Sequence, residues 1–135
     1  MVSAGTHLII DGYVRDASVF DAARLEALFR TLVDALDMRI LAGPTFVEVP
    51  LDERKLQSAV FQDEGGITGS CIISTSHIAI HCWPLRRFFS MDVFSCKDFD
   101  TAKAMRVIHE TLALENVNVH NINRTKPVDH RTVRA

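Results

Sequence analysis

The sequence is poor in cysteine, has no long apolar run and carries no excess of charge of either sign. Its three cysteines, Cys71, Cys82 and Cys96, form no CxxC pair, which argues against a disulfide framework and predicts reduced thiols in a cytoplasmic protein. No stretch approaches the roughly 18 apolar residues of a membrane helix, and the first residues do not resemble a signal peptide. With 15 Lys and Arg against 17 Asp and Glu, no basic field indicates nucleic acid. We therefore expect neither a membrane nor a nucleic-acid partner.

Familiar catalytic and metal-binding patterns are also missing. His77 and His81 have HxxxH spacing, but the apolar residues between them favour a strand, along which four residues span about 13 Å. One metal ion could not bind both, so we expect no metal site. A triad could be drawn from Ser76, His81 and Asp92, but the GxSxG elbow that such a triad would need is absent. The stretch "GGITGS" at 65–70 matches neither phosphate-binding fingerprint and is typical of a turn that leads into a strand.

The patterns that are present predict one domain with an α+β fold. The 135 residues, 47% of them hydrophobic, suffice for a core without metal or disulfide. An apolar stripe at helical spacing runs from Leu25 to Leu36, and a second from Ala104 to Leu112. Several strand-like runs lie between these helices. This order favours a two-layer sandwich, a mainly antiparallel sheet with both helices on one face.

Caps, turns and alternation predict where the elements begin and end. Asp16 or Ser18 is expected to cap the first helix, and Asp98 or Asp100 the second. A bulge or edge is expected at Gly43–Pro44. Residues 50–66 are predicted to form a long loop with one helical turn, a length that is often functional, and residues 125–135 a frayed tail. Strands are predicted over 7–11, 39–49, 67–75, 76–83, 88–96 and 116–122.

Two neighbouring stretches carry a resemblance to a known family. "TSHIAIHCWP" at 75–84, followed by "FFSMDVFSC" at 88–96, resembles the S-adenosylmethionine decarboxylase proenzymes of the small bacterial and archaeal type. In that family a Ser-His pair is followed by a second histidine and a Trp-Pro, and then by an aspartate-containing strand that ends in a cysteine. "HLIID" at 7–11, "GGITG" at 65–69 and the chain length also fit. The resemblance covers residues 6–124.

The resemblance implies a self-processing decarboxylase whose pyruvoyl cofactor is made from the chain itself. Ser76 matches the precursor serine, so cleavage would fall between Thr75 and Ser76 and would leave a pyruvoyl group at position 76. Its carbonyl would form a Schiff base with the substrate amine and act as an electron sink. Thr68 matches the hydroxyl residue that assists cleavage, His81 the histidine that removes the α-proton, and Cys96 the cysteine that returns a proton to the product.

Substrate and assembly are further implications of the resemblance. The default substrate is S-adenosylmethionine, whose decarboxylation serves polyamine biosynthesis, and Phe46 and Leu85 are the implied substrate-binding positions. The family also implies a homodimer with its sites near the interface. A sheet that exposes one face and an edge in so small a chain favours a dimer as well.

Two positions depart from the family pattern. Thr75 stands where the family usually has glutamate, and Leu85 where it usually has the acid that binds the ribose hydroxyls. Arg86 and Arg87 add positive charge beside Leu85. The departures leave two alternatives open: a pyruvoyl-dependent decarboxylase of ornithine or arginine, or an unprocessed, non-catalytic member that binds or regulates a partner. Candidates to replace the missing acid lie in the loop, at Asp52, Glu53, Asp63 and Glu64.

Overall fold

Six strands and two α-helices form the described part of the protein. The computed structural model describes residues 2–51 and 64–126. No helix in this part of the chain is long and apolar enough to cross a membrane. Short 3-10 turns span Ala17–Val19 and Pro84–Arg86. The main elements are β1 (Val2–Val14), α1 (Ala22–Ala35), β2 (Ile40–Val49), β3 (Gly66–Ile73), β4 (Ser76–Trp83), β5 (Phe88–Ser95), α2 (Thr101–Leu112) and β6 (Leu114–Lys126).

The strands form one antiparallel sheet in the order β2-β3-β4-β5-β1-β6. Side chains along the central strands alternate between buried and accessible positions, as expected for a sheet that is packed on one face only. Both helices cover the packed face. The predicted α+β sandwich is therefore confirmed.

Each α-helix begins at an aspartate and buries one apolar stripe. The Asp21 carboxylate accepts a hydrogen bond from the Arg24 amide at 2.8 Å, and Asp100 accepts one from the Lys103 amide at 3.0 Å. The prediction of Asp100 as a cap is confirmed. The prediction that Asp16 or Ser18 caps α1 is wrong, because Asp16 caps the preceding 3-10 turn instead. The buried helical side chains are Leu25, Leu28, Phe29, Leu32 and Val33 of α1 and Ala104, Ile108 and Leu112 of α2.

The two ends of the described chain pair with each other further than the sequence predicts. β1 and β6 form a ladder that runs from Val2 opposite Lys126 to Val14 opposite Leu114. Residues 125 and 126 therefore belong to a strand and not to a frayed tail. Backbone hydrogen bonds between distant segments make this ladder, and β6 buries little more than Leu114, so a burial pattern cannot reveal its length. Residues 127–135, like most of the predicted loop (52–63), lie outside the described residues.

The edge strand β2 carries the predicted irregularity. The register between β2 and β3 shifts between Ala42 and Thr45, on either side of Gly43–Pro44. An edge strand tolerates this proline because its other side pairs with no strand in the described sheet.

The sheet face turned away from the helices, called the open face below, carries rings and polar groups. Phe94 and Ile72 lie towards one end of it, and Trp83 and Phe88 towards the other. The accessible positions of its four central strands are His7, Ile9, Asp11 and Tyr13 of β1, Thr68, Ser70 and Ile72 of β3, His77, Ala79, His81 and Trp83 of β4, and Phe88, Ser90, Asp92 and Phe94 of β5.

Candidate active site

Thr75 and Ser76 lie where β3 turns into β4. Ile73 and Ser76 are the last residues paired between the two strands, so Ser74 and Thr75 form a two-residue turn. Thr75 has φ 59°, a left-handed conformation that is rare for a β-branched residue and stores backbone strain. Ser76 is 7% exposed. Its hydroxyl accepts a hydrogen bond from the Cys96 amide at 2.9 Å and lies 3.4 Å from the Ser74 carbonyl oxygen. The strained peptide and an oriented hydroxyl are thus adjacent.

Cys96 lies beside this turn because it directly follows β5, the strand that pairs with β4. Its Sγ is 3.0 Å from the Thr75 hydroxyl and its side chain is exposed. The pKa of Cys96 is lowered, chiefly by the hydrogen bond from Thr75 and then by Ser76. The other two cysteines are buried: burial raises the pKa of Cys71 and raises that of Cys82 to about 12. Of the three thiols, Cys96 alone has the exposure and the ionisation of a reactive group.

Thr68 and His81 form a second group. They are directly opposite each other on β3 and β4, both on the open face, and the Thr68 Oγ1 is 3.0 Å from the His81 Nδ1. The His81 ring lies 6.5 Å from the Trp83 ring. The threonine hydroxyl therefore contacts the imidazole at Nδ1, and the other ring nitrogen, Nε2, does not contact Thr68.

The two groups occupy opposite ends of the sheet. His81 is five residues along β4 from Ser76, which corresponds to about 16 Å. An odd number of steps also places the two side chains on opposite faces, and the alternation of burial agrees: Ser76 is buried and His81 is exposed. The structure therefore brings Ser76, Thr75 and Cys96 together, brings Thr68 and His81 together, and does not unite the two groups within one chain.

The two expected substrate-binding residues lie apart from each other. Phe46 turns towards the helices, with its ring 5.2 Å from that of Phe29, and its ring lies so close over Gly69 that a Cβ there would collide with it. Leu85 is 61% exposed and lines a cavity of about 470 Å³ that also contains Glu48 and Glu64. This cavity lies at the same end of the sheet as Thr68 and His81.

The two arginines after Leu85 are not free positive charges. Arg86 binds the Glu64 carboxylate with both Nε and Nη2, at 3.0 and 2.7 Å, and Arg87 pairs with Glu115 at 2.9 Å. The expected gain of positive charge beside Leu85 is therefore wrong, because acids neutralise both groups. Glu64 is already engaged and is a poor replacement for the missing ribose-binding acid. The other three candidates, Asp52, Glu53 and Asp63, lie outside the described residues.

Sequence reasoning missed a polar pair on the open face. His7 Nε2 lies 2.9 Å from an Asp92 carboxylate oxygen, and the His7 ring packs edge-on against Phe94. Asp92 is thus the partner of His7, and the triad of Ser76, His81 and Asp92 does not form. The alternation of each strand puts these side chains on one face, but only the pairing of β1 with β5 brings them together. In the described part of the chain, no group of three or more His, Cys, Asp and Glu side chains could hold a metal ion.

Comparison with known proteins agrees with the resemblance seen in the sequence. Residues 6–125 match the S-adenosylmethionine decarboxylase family. A proenzyme of that name from Clostridium botulinum is 30% identical over 128 residues, 93% of this chain and 98% of that protein. The Pyrococcus horikoshii proenzyme is 26% identical over 134 residues, 98% of this chain and 86% of that protein.

A solved structure supports the fold. The adenosylmethionine decarboxylase from Aquifex aeolicus superposes with a TM-score of 0.72 and covers 98% of this chain and 100% of its own, although only 20% of the residues are identical. With the family match over nearly the whole described chain, this chain belongs to the S-adenosylmethionine decarboxylase family, which is a family of carboxy-lyases.

Proposed function

We propose that this protein decarboxylates S-adenosylmethionine after cutting itself between Thr75 and Ser76. The observation that carries the proposal is the junction itself, in a chain of this family: a left-handed Thr75, followed by a serine hydroxyl that the Cys96 amide holds at 2.9 Å. The relatives named above are decarboxylase proenzymes of S-adenosylmethionine, which favours this substrate over ornithine or arginine.

Self-processing would use atoms of the chain and one water molecule. The Ser76 Oγ adds to the Thr75 carbonyl carbon, and the peptide C–N bond breaks to give an ester and a free amine. A base then removes the α-proton of residue 76, and the Cβ–O bond breaks to release Thr75 as a carboxylate. Water hydrolyses the remaining unsaturated amine, which releases ammonia and leaves a ketone at position 76. Strain at Thr75 favours the first step, because breaking the peptide bond relieves it.

The surroundings of Ser76 fit a pyruvoyl group. A cavity of about 480 Å³ adjoins Ser76 and Cys96, so a substrate amine can approach position 76 once the turn is open. The pyruvoyl carbonyl would supply the electron sink for loss of carbon dioxide. Cys96 is the exposed acid-base group that adjoins Ser76 and is suited to return a proton at the carbon that loses the carboxylate.

A homodimer would complete the site. Within one chain Thr68 and His81 are about 16 Å from Ser76, too far to assist it. If two open faces meet about a two-fold axis, the Thr68 and His81 end of one protomer lies against the Ser76 end of its partner, where His81 would approach the backbone of residue 76 from the face opposite the Ser76 hydroxyl. The open face suits this contact, since it exposes Ile72, Tyr13 and other apolar side chains beside the His7–Asp92 pair. Each of the two sites would then combine residues from both protomers.

The proposal is tested by the state of the purified chain and by carbon dioxide release. We expect denaturing electrophoresis to show fragments 1–75 and 76–135, and labelled S-adenosylmethionine to release its carboxyl carbon. Ser76→Ala is expected to remain one folded, inactive chain, because no hydroxyl is available to attack Thr75. Wild-type protein that stays uncut, or a Ser76→Ala variant that still splits, would show that the assignment is wrong.

A further inference from the structure

The cavity beside Ser76 carries positive charge that the proposed chemistry does not use. Arg39 and Lys97 line it together with Asp37, Met38, Ser74, Ser76, Ser95 and Cys96. The Lys97 ammonium donates to the Asp37 backbone carbonyl at 3.4 Å, and neither basic side chain forms an ion pair among the described residues. Asp37 supplies one carboxylate to the described lining, so the two cations outnumber it.

The register of the sheet puts these two cations beside the end of β3. Ile40 pairs with Ile73, so Arg39, the residue before Ile40, lies next to Ser74. Lys97 directly follows Cys96, whose sulfur is 3.0 Å from the Thr75 hydroxyl. Arg39 and Lys97 therefore flank the residues that become a chain end when the bond after Thr75 breaks.

We propose that Arg39 and Lys97 bind the new carboxylate of Thr75 and draw the end of fragment 1–75 away from Cys96 into this cavity. The inference rests on the self-processing proposed above, because an uncut chain has no carboxylate at this position. Cleavage replaces a neutral peptide with a negative charge and frees Ser74 and Thr75 to turn. An Arg–carboxylate pair supplies two charge-assisted hydrogen bonds, and the lysine adds a second positive charge.

Movement of Thr75 would also prepare Cys96 for its role. In the uncut chain the Thr75 hydroxyl donates a hydrogen bond to the sulfur and is the main reason that the Cys96 pKa is lowered. Once Thr75 leaves, this contact is lost and the pKa of Cys96 rises towards the ordinary thiol value. A protonated thiol is the form that can donate a proton to the product. Arg39 and Lys97 would thus act as positioning residues through Thr75, without touching the substrate.

Protection of the chain end from a carboxypeptidase tests the proposal. Native, fully processed protein is treated with carboxypeptidase Y, and the mass of fragment 1–75 is followed over time. We expect trimming of the wild type to be about tenfold slower than that of the Arg39→Met/Lys97→Met variant, as for loss of a charged hydrogen bond. Both side chains are exposed, so the substitutions should not disturb the core. The Arg39→Lys/Lys97→Arg variant keeps both charges and should keep the protection.

Lys103→Met is the matched control, because Lys103 is exposed on α2 and does not line the cavity. It should be trimmed at the wild-type rate. Equal trimming rates for the wild type and the double methionine variant would overturn the inference. If the variant also had a higher KM for the substrate, the two cations would be assigned to substrate binding instead. If denaturing electrophoresis shows that the wild-type chain never splits, the proposed function is refuted, and this inference with it.

Discussion

At the scale of single residues, Thr75 connects the proposed cleavage site to the exposed Cys96 thiol through a contact of 3.0 Å. The family resemblance leads one to expect a glutamate here, and a carboxylate about 3 Å from the sulfur would oppose ionisation of Cys96. The threonine hydroxyl does the reverse, since it donates to the sulfur and favours the thiolate. Threonine at position 75 therefore changes the ionisation of Cys96 in the uncut chain. The serine proposed to cut the chain, Ser76, is still present.

The pH dependence of Cys96 alkylation tests this contact. In the uncut Ser76→Ala chain, Cys96 should react with iodoacetamide with a pH midpoint below 9.0, the ordinary thiol value, because a lowered pKa keeps the thiolate populated at lower pH. Adding Thr75→Val should move the midpoint upwards, since the main cause of the shift is removed. Mass spectrometry after alkylation reads each cysteine separately.

Cys71 and Cys82 are internal controls for this measurement. Both are buried with raised pKa values, so neither should be alkylated in the folded chain over the pH range used. If the Cys96 midpoint is the same with and without the Thr75→Val substitution, the hydroxyl does not control the thiol.

We expect Leu85 to limit how well the proposed site binds a nucleoside. Its cavity contains the Glu48 carboxylate and the Arg86-bound Glu64, but the leucine itself offers no acceptor to a ribose hydroxyl. Leu85→Glu is expected to lower KM for S-adenosylmethionine by about tenfold with little change in kcat, as expected for a gained charge-assisted hydrogen bond. Leu85→Gln is the uncharged control. An unchanged kcat/KM in steady-state assays would mean that position 85 does not contact the substrate.

At the scale of elements, the sequence predicted those helices and strand irregularities that depend on residues close together in the chain. The stripes of α1 and α2 and the irregular β2 edge were readable, because spacing, glycine and proline act over a few neighbouring residues. The length of β6 and the pairing of His7 with Asp92 were not, because both depend on which strands lie side by side. The prediction of Asp16 or Ser18 as the cap of α1 failed for a related reason, because a 3-10 turn without an apolar repeat lies between these residues and the helix.

The contribution of the α2 N-cap, Asp100, to stability can be measured directly. Asp100 accepts a hydrogen bond from the Lys103 amide, one of the donors that a helix N-terminus leaves unpaired. Asp100→Ala should lower the free energy of unfolding by about 1 kcal/mol, measured by urea denaturation of the Ser76→Ala chain. Glu110→Ala on the exposed side of the same helix should have little effect. Equal losses for the two variants would mean that the cap adds nothing beyond ordinary helix propensity.

At the scale of the whole molecule, the arrangement of the predicted residues is more informative than their identity. Thr68, His81, Ser76 and Cys96 could all be named from the sequence, but the sequence did not indicate that they form two groups at opposite ends of a sheet. Counting residues along β4 gives the distance only once the strand and its faces are known. This separation leads to a prediction that would fail if each site were contained in one chain.

Two inactive variants should restore each other when they share a dimer. His81→Ala and Ser76→Ala chains, differently tagged and expressed alone, should each remain largely uncut. Co-expression gives heterodimers in about half of the molecules if association is random. In each heterodimer the Ser76→Ala protomer supplies His81 to the intact Ser76 of its partner. Only the His81→Ala chain should then be cut. The number of active sites should be about a quarter of the number in the same amount of wild-type protein.

The identity of the tag on the cut fragment makes the test decisive. A site contained in one chain has no route to cut either variant, so co-expression would leave both tags on full-length chains. As a control, a chain that carries both substitutions, co-expressed with Ser76→Ala, has no attacking serine on either protomer and should never be cut. Cutting of the His81→Ala chain to the same extent with and without its partner would show that His81 does not act across the interface. Cutting that requires the partner assigns Thr68 and His81 of one open face to the Ser76 end of the other.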